Sequence, residues 1–450
     1  MTFTATVVQG SGSTIPTGTV TFSNGATSLG TATLDGAGKA TLSTSTLAVG
    51  GPYTITATYA GAGTFTGSSG NVSQTVNKAS TTTTVSGVPN PSVFGQSVTF
   101  TATVSPVSPG AGTRTGTVTF FDGAATLGTG TLSGGVATFT SSTLNVSAHS
   151  ITAVYNGDGN FNASTSSIFT QNVNKASTTT ALSSSLNPST FGQSVTFTAI
   201  VSVASPGAGS PTGSVNFFDG ATSLGSGTLT GNTATFTTSS LGAGARSITA
   251  VYAGDTNFST STSNSLTQTI NKASTTSVVS SSLNPSLFGN SVTFTATVAT
   301  VAPGAGVATG NVGFFQGSTL LGTVSLNGLG VATYSTSALP AGVSSITAVY
   351  AGSANFNSST SPALLQTVNQ APFFTSAATT TFQTQIPGSF QFTAGGYPTN
   401  FNFSTTGTLP AGVTLSPAGL LSGTPARGTG GVYNFAATVS NGIAPDATQA

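Results

Sequence analysis

The chain has 450 residues, of which 3% are charged, with Lys+Arg 7 set against Asp+Glu 6 and no Glu among them. A typical soluble domain carries about 25% charged residues, and so neutral a chain excludes steering toward nucleic acid or an anionic membrane, both of which need clustered Lys and Arg. There is no Cys and no Trp, so a sandwich must hold without an inter-sheet disulfide, and no apolar run reaches the ~18 residues of a membrane span.

Asn-Lys recurs at Asn77-Lys78, Asn174-Lys175 and Asn271-Lys272, and Asn369-Gln370 continues the series, with spacings of 97, 97 and 98 residues. Phe-Gly recurs at Phe94, Phe191 and Phe288. A fixed period this long marks an array of whole domains. The expected domains are 1–77, 78–174, 175–271, 272–369 and 370–450. Met1 falls in register with Val98, so the first domain is expected to lack the counterpart of Lys78–Ser97 and with it the first strand. Met1 is followed at once by strand pattern, with no signal-peptide shape. An unfilled edge is costly and sticky. Two readings of it are a segment of a longer chain and strand completion between neighbouring subunits.

Within a repeat the strands follow in order. Val98, Phe100, Ala102 and Val104 alternate with threonines, the period of a half-buried strand. The same alternation stands at Val195–Val201, Val292–Val298 and Met1–Val7. Val118-Thr-Phe120 comes next, then a Leu-Gly-x-x-x-Leu strand (Leu127–Leu132), then Ala137-Thr-Phe139, then Ile151–Tyr155, then a last strand ending at Val173. With a first strand at Ser80–Val85, each full repeat has seven. Pro-Gly-Ala-Gly, Phe-Asp-Gly and Gly-Asp-x-Asn-Phe supply the turns between them. Seven short strands at this spacing predict a Greek-key sandwich. The expected fold is all-β, a tandem array of Ig-like sandwiches forming an extended rod.

The run Phe-Gly-Gln-Ser-Val-Thr-Phe-Thr-Ala, the Thr-Gly-x-Val-x-Phe-Phe-Asp-Gly turn and the Ser-Ile-Thr-Ala-Val-Tyr-x-Gly-Asp-x-Asn-Phe block resemble bacterial Ig-like domain repeats over residues 1 to about 369. That resemblance implies large secreted or cell-surface proteins. From Gln370 the pattern changes. The stretch Leu409–Pro425 is similar to the putative-Ig, cadherin-like family, also a β-sandwich of extracellular proteins. That family's final strand belongs after Val439-Ser-Asn-Gly, so the last domain is expected to lack it.

Neighbouring repeats are joined through only Asn-Lys-Ala-Ser, too short for a flexible linker. In such a sandwich the Phe-Asp-Gly turn lies at the pole where the last strand exits. Asp122 is therefore expected near Lys175, and Asp219 near Lys272. In the fourth repeat both positions become Gln, at Gln316 and Gln370. The Asp158 and Asp255 loops approach from the far side of their junctions, toward Lys78 and Lys175. An exposed pair of this kind contributes about 0–1 kcal/mol, so it orients a joint without holding it.

Chemistry is scarce. His149 is the only histidine, and Arg246 and Ser344 replace it in later repeats, which reads as a surface position. No second His or carboxylate completes a nucleophilic triad. Six acids over five domains give neither paired catalytic carboxylates nor a calcium cluster. An isopeptide bond needs a buried acid that each domain is short of. No catalytic residue, metal or cofactor is expected. Tyr59, Tyr155, Tyr252 and Tyr350 read as structural corner tyrosines whose hydroxyls bond nearby backbone. Asn71, Asn145, Asn162, Asn257, Asn357 and Asn402 begin Asn-x-Ser/Thr triplets, which arise often by chance in a chain so rich in Ser and Thr.

The expected function is a non-enzymatic, extracellular rod or fibre shaft at a bacterial surface. Mean hydropathy is +0.24 and sheet edges lack guarding charge, so the partner expected is the chain itself, as a homopolymeric filament, with glycans as a further class. A stalk or binding module of an adhesin or carbohydrate-active protein is the alternative, disfavoured by the absence of Trp. A phage or virion fibre is a third reading.

Overall fold

The computed structural model describes Met1–Ala450 and contains strands and turns only. In the second repeat Val98–Pro106 is the centre of a three-stranded sheet. Thr81–Val88 pairs on one side of it and Val136–Ser141 on the other, both antiparallel. The opposite sheet runs Ala125–Thr131, Thr117–Asp122, Ala148–Tyr155, Phe169–Asn174 and Ser92–Val93, with Ser164–Thr165 added against Ala148–Tyr155. Two of these are two-residue strands that the sequence pattern does not reveal. Repeats three and four copy the arrangement.

The threonine alternation explains the layers. Val98, Phe100, Ala102 and Val104 face inward and are buried, and the residues between them stay largely in contact with water. Across the sandwich they meet Val118, Phe120, Ile151, Ala153 and Tyr155. Burying one such large apolar side chain contributes about 1.5–3 kcal/mol. Phe120 stacks on Phe139 with ring centroids 5.9 Å apart. The recurring Leu-Gly has its reason here. A Cβ on Gly128 would stand 2.2 Å from the Phe139 ring, and one on Gly225 would stand 2.4 Å from Phe236. Any side chain at these positions would force the two edge strands apart.

The end domains differ. In the first, Thr2–Thr6 pairs only with Lys39–Ser43, and an open cleft of about 290 Å³ lies between the sheets. Its core holds 7 buried residues against 14 in the second repeat, so at 1.5–3 kcal/mol each it is the less stable unit. In the last domain the strand Leu364–Phe374 runs on from repeat four and pairs with Ala394–Tyr397. Ala447–Gln449 pairs with Phe435–Ser440, which corrects the expectation that the final strand is missing. A three-residue strand was invisible in a sequence pattern that ends with it.

Candidate functional site

The contacts between repeats are built on the Gly-Asp-x-Asn-Phe loop. In repeat three the Asp255 carboxylate accepts hydrogen bonds from Thr212 N (2.8 Å), Thr212 Oγ1 (2.7 Å), Asn257 N (2.8 Å) and Phe258 N (2.9 Å). In repeat two Asp158 does the same with Thr115, Asn160 and Phe161. Burial alone would raise both carboxyls. The donors outweigh it and hold both below the usual carboxylate range, Asp158 well below. A short polar loop thereby becomes a fixed platform.

The incoming chain is fastened to that platform. Ala176 forms a parallel bridge with Phe258, with Ala176 N donating to Asn257 O and Ser259 N to Ala176 O, both at 2.9 Å. Lys78 Nζ donates to the Asp158 carbonyl at 2.6 Å, Lys175 Nζ to the Asp255 carbonyl, and Lys272 Nζ to Ser353 O at 2.6 Å. The lysines thus reach the expected loops, but through main-chain carbonyls and within their own repeat, so these bonds are not the contacts between domains that were expected; the carboxylates are occupied with loop donors.

The previous repeat then closes on the same platform. Its Phe94 sits at a tight turn, with Phe94 N donating to Asn174 O (2.9 Å). The Phe94 ring stands edge-on to Phe258, centroids 5.5 Å apart. Its carbonyl accepts from Ala208 N at 3.3 Å. A Cβ on Gly95, at φ +77°, would lie 2.3–2.8 Å from the Ala208 backbone, so only glycine lets the two main chains approach. The next joint repeats every part. Phe191 meets Phe356 at 5.2 Å, Ala305 N donates to Phe191 O at 3.1 Å, and Gly192 faces Ala305. Asn355 Oδ1 also accepts from Ala243 N across this joint, at 2.9 Å. An aromatic pair adds about 0.5–1.5 kcal/mol and a hydrogen bond about 0.5–1.5 kcal/mol. Each joint is therefore weaker than the ~5–15 kcal/mol that holds a domain together. At the end of repeat four the same turn is bare: Phe288 is 53% exposed, and a Cβ on Gly289 would touch nothing.

Two sequence expectations are corrected. Asp122 and Lys175 form no ion pair, nor do Asp219 and Lys272. Asp122 Oδ2 lies 2.7 Å from His149 Nδ1, Asp219 Oδ2 lies 3.5 Å from Arg246 Nη1, and Gln316 Nε2 donates to Ser344 Oγ at 2.9 Å. The change to Gln316 therefore accompanies Ser344, and Gln370 is incidental. Register is the reason. Asp122 pairs with Ile151, and His149, two residues earlier on the same face, is its diagonal neighbour. His149 is accordingly not a surface residue; it is 7% exposed, with Nε2 2.9 Å from Asn145 O and 3.1 Å from Ser147 Oγ.

The tyrosines lie at the start of the same loops. Tyr59 and Tyr350 donate to Thr17 O and Thr309 O, both at 2.6 Å. Tyr155 and Tyr252 have buried hydroxyls without a well-directed bond. Burial, with Asp158 and Asp255 next to them, pushes both up to about 12. No three His, Asp, Glu or Cys side chains converge anywhere in the chain. The Phe-Gly recurrence marks these joints in the sequence, as a large apolar residue kept inside a turn where polar residues are usual.

The molecule is thus a tandem of Ig-like sandwiches in which the second, third and fourth repeats share one joint geometry. The bacterial Ig-like domain (group 3) family matches residues 1–77, 84–174, 182–271 and 279–369, and the family described as putative Ig domain matches 366–449. The chain belongs to the bacterial Ig-like domain (group 3) family. Among solved structures it is similar to invasin, a bacterial integrin-binding protein, at 12% identity, covering 82% of this chain and 78% of that one with a TM-score of 0.34. The Escherichia coli adhesin FdeC is similar at 18% identity, covering 66% and 99%, TM-score 0.25. Three N-terminal domains of the bacteriophage RB49 Hoc capsid protein are similar at 14% identity, covering 64% and 98%, TM-score 0.23. No curated protein sequence is similar to this chain at a significant level.

Proposed function

We propose that the chain is a non-enzymatic structural protein of the bacterial surface, an extended shaft that associates with copies of itself. The observation that carries this is the repeated joint. Phe94–Gly95 on Ala208 and Phe258, and Phe191–Gly192 on Ala305 and Phe356, are the same contact used twice. A reused joint gives repeats three and four the same rotation and translation, each relative to the repeat before it, which is how a shaft is made from identical units. The carboxylate of Asp255 is taken up in shaping the loop of one joint and that of Asp158 in shaping the same loop of repeat two, leaving no set of convergent acids and bases for a reaction.

Self-association is supported by the surface. With 3% charge, like-charge repulsion between copies is slight, and Ile168 and Leu365 stand 66% and 62% exposed. The test is sedimentation of the full chain over a wide concentration range, with small-angle scattering for shape. An elongated particle whose mass grows with concentration, little affected by added salt, is expected. A monomer at every concentration removes the filament and leaves a stalk; a compact particle removes the shaft as well.

A further inference from the structure

Three buried amide side chains recur in the last strands, Gln171, Gln268 and Gln366, each 0% exposed. A buried amide left unpaired costs about 1–3 kcal/mol, so their partners are informative. In repeat three Gln268 Nε2 donates to Leu186 O (2.9 Å) and Ser189 Oγ (3.4 Å), while its Oε1 accepts from Ser184 Oγ (2.7 Å). Asn187 grips the same strand from outside: Nδ2 donates to Thr267 O (2.7 Å) and Oδ1 accepts from Thr269 N (3.0 Å). The corner Asn187-Pro188-Ser189 is thereby stitched to the last strand, and Ser189–Thr190 continues as a parallel pair with Ile270–Asn271. Repeat two does this with Asn90, Ser92 and Gln171, and repeat four with Asn284, Ser286 and Gln366.

Parallel pairing occurs nowhere in the chain outside repeats two to four. It is confined to these three corners and to the entry bridges at Ala79, Ala176 and Ala273. Tension along a tandem array enters a repeat at its first strand and leaves at its last. At the corner the continuation of the first strand lies beside the last strand and parallel to it, so a pull at the two ends drives them in opposite directions along their axes. The bonds between them are loaded together in shear, and the rest of the sandwich carries little until they fail.

We propose that the Asn-Pro-Ser corner and the buried Gln form a load-bearing latch in repeats two to four, which rests on the reading of the chain as a shaft under tension. Repeat one supplies the contrast. Gln74 holds the same strand position and keeps only the bond from Nε2 to the next carbonyl, Thr75 O (2.7 Å), a bond that Gln171, Gln268 and Gln366 also make; the corner contacts are what it lacks. The terminal domain has no parallel pair at all.

Stretching single molecules of this 450-residue chain from their ends tests the latch. Three strong unfolding events and two weaker ones are expected. The double substitution Asn187→Ala with Gln268→Ala moves one event from the strong group to the weak group. Val215→Ala, which lowers the stability of the same repeat from its core, leaves three strong events. If the double variant does not fold, Ser189→Ala, which removes one hydroxyl, lowers a single event by a smaller step. Five events drawn from one force distribution overturn the proposal, and so do three strong events in a folded double variant. The shaft reading survives either result, because scattering and sedimentation judge it separately.

Discussion

Phe191→Ala tests the joint most directly, with Phe288→Ala as its control. Phe191 packs against the core of repeat four and lies edge-on to Phe356 at 5.2 Å. Truncating a fully buried Phe costs about 3–5 kcal/mol. Phe191 is half-buried, so roughly half of that is expected, near 2 kcal/mol, shared between the two repeats it joins. For a unit of about 100 residues, each kcal/mol moves the melting midpoint by roughly 4–8 °C. The joint should also loosen, because what remains is one hydrogen bond from Ala305 N and one from Ala243 N. The assay is thermal unfolding of the full chain together with small-angle scattering. Phe288 occupies the same position one repeat later but is 53% exposed, so Phe288→Ala should stay within about 0.5 kcal/mol and leave the scattering unchanged. Equal effects of the two substitutions, or an unchanged scattering profile for Phe191→Ala, would refute the joint as described.

Gly192→Ala and Gly289→Ala share the strain of a positive φ, about 1–2 kcal/mol. Gly192→Ala alone also places a Cβ within 2.5–2.7 Å of the Ala305 backbone, so only it should broaden the distribution of angles between repeats three and four, read by spin-label distances. Acid should weaken the second and third repeats first. The carboxyls of Asp158 and Asp255 are held low, so their contribution is complete above the ordinary carboxylate value near 4 and is lost as pH falls through the folded value. Ser353 takes that place in repeat four, whose loop should keep its protection, as repeat-resolved hydrogen exchange would show. Gly87→Ser should destabilise repeat two, because its Cβ would lie 2.9 Å from both Phe100 and Phe169. Adding Phe169→Leu, which recreates the Ser184 and Leu266 pairing of repeat three, should recover that loss and satisfy Gln171 Oε1, unpaired at present. Denaturant midpoints of the single and double variants check this.

Alternation of threonine with Val, Phe and Ala, and a period near 97, determine by themselves that the chain is a row of sandwiches, because side-chain direction in a strand follows position along the chain and little else. They also placed the Asp158 and Asp255 loops near Lys78 and Lys175. Partners that depend on register across two strands were beyond reach. Sharing a pole points Asp122 to Lys175, while the register with Ala148–Tyr155 puts His149 beside it. The joint and the latch belong to the same class. Phe94 finds Phe258, and Asn187 finds Thr267 and Thr269, across long separations in sequence. Such contacts exist only once two surfaces have been brought together in three dimensions, and a pattern read along one dimension carries no term for that.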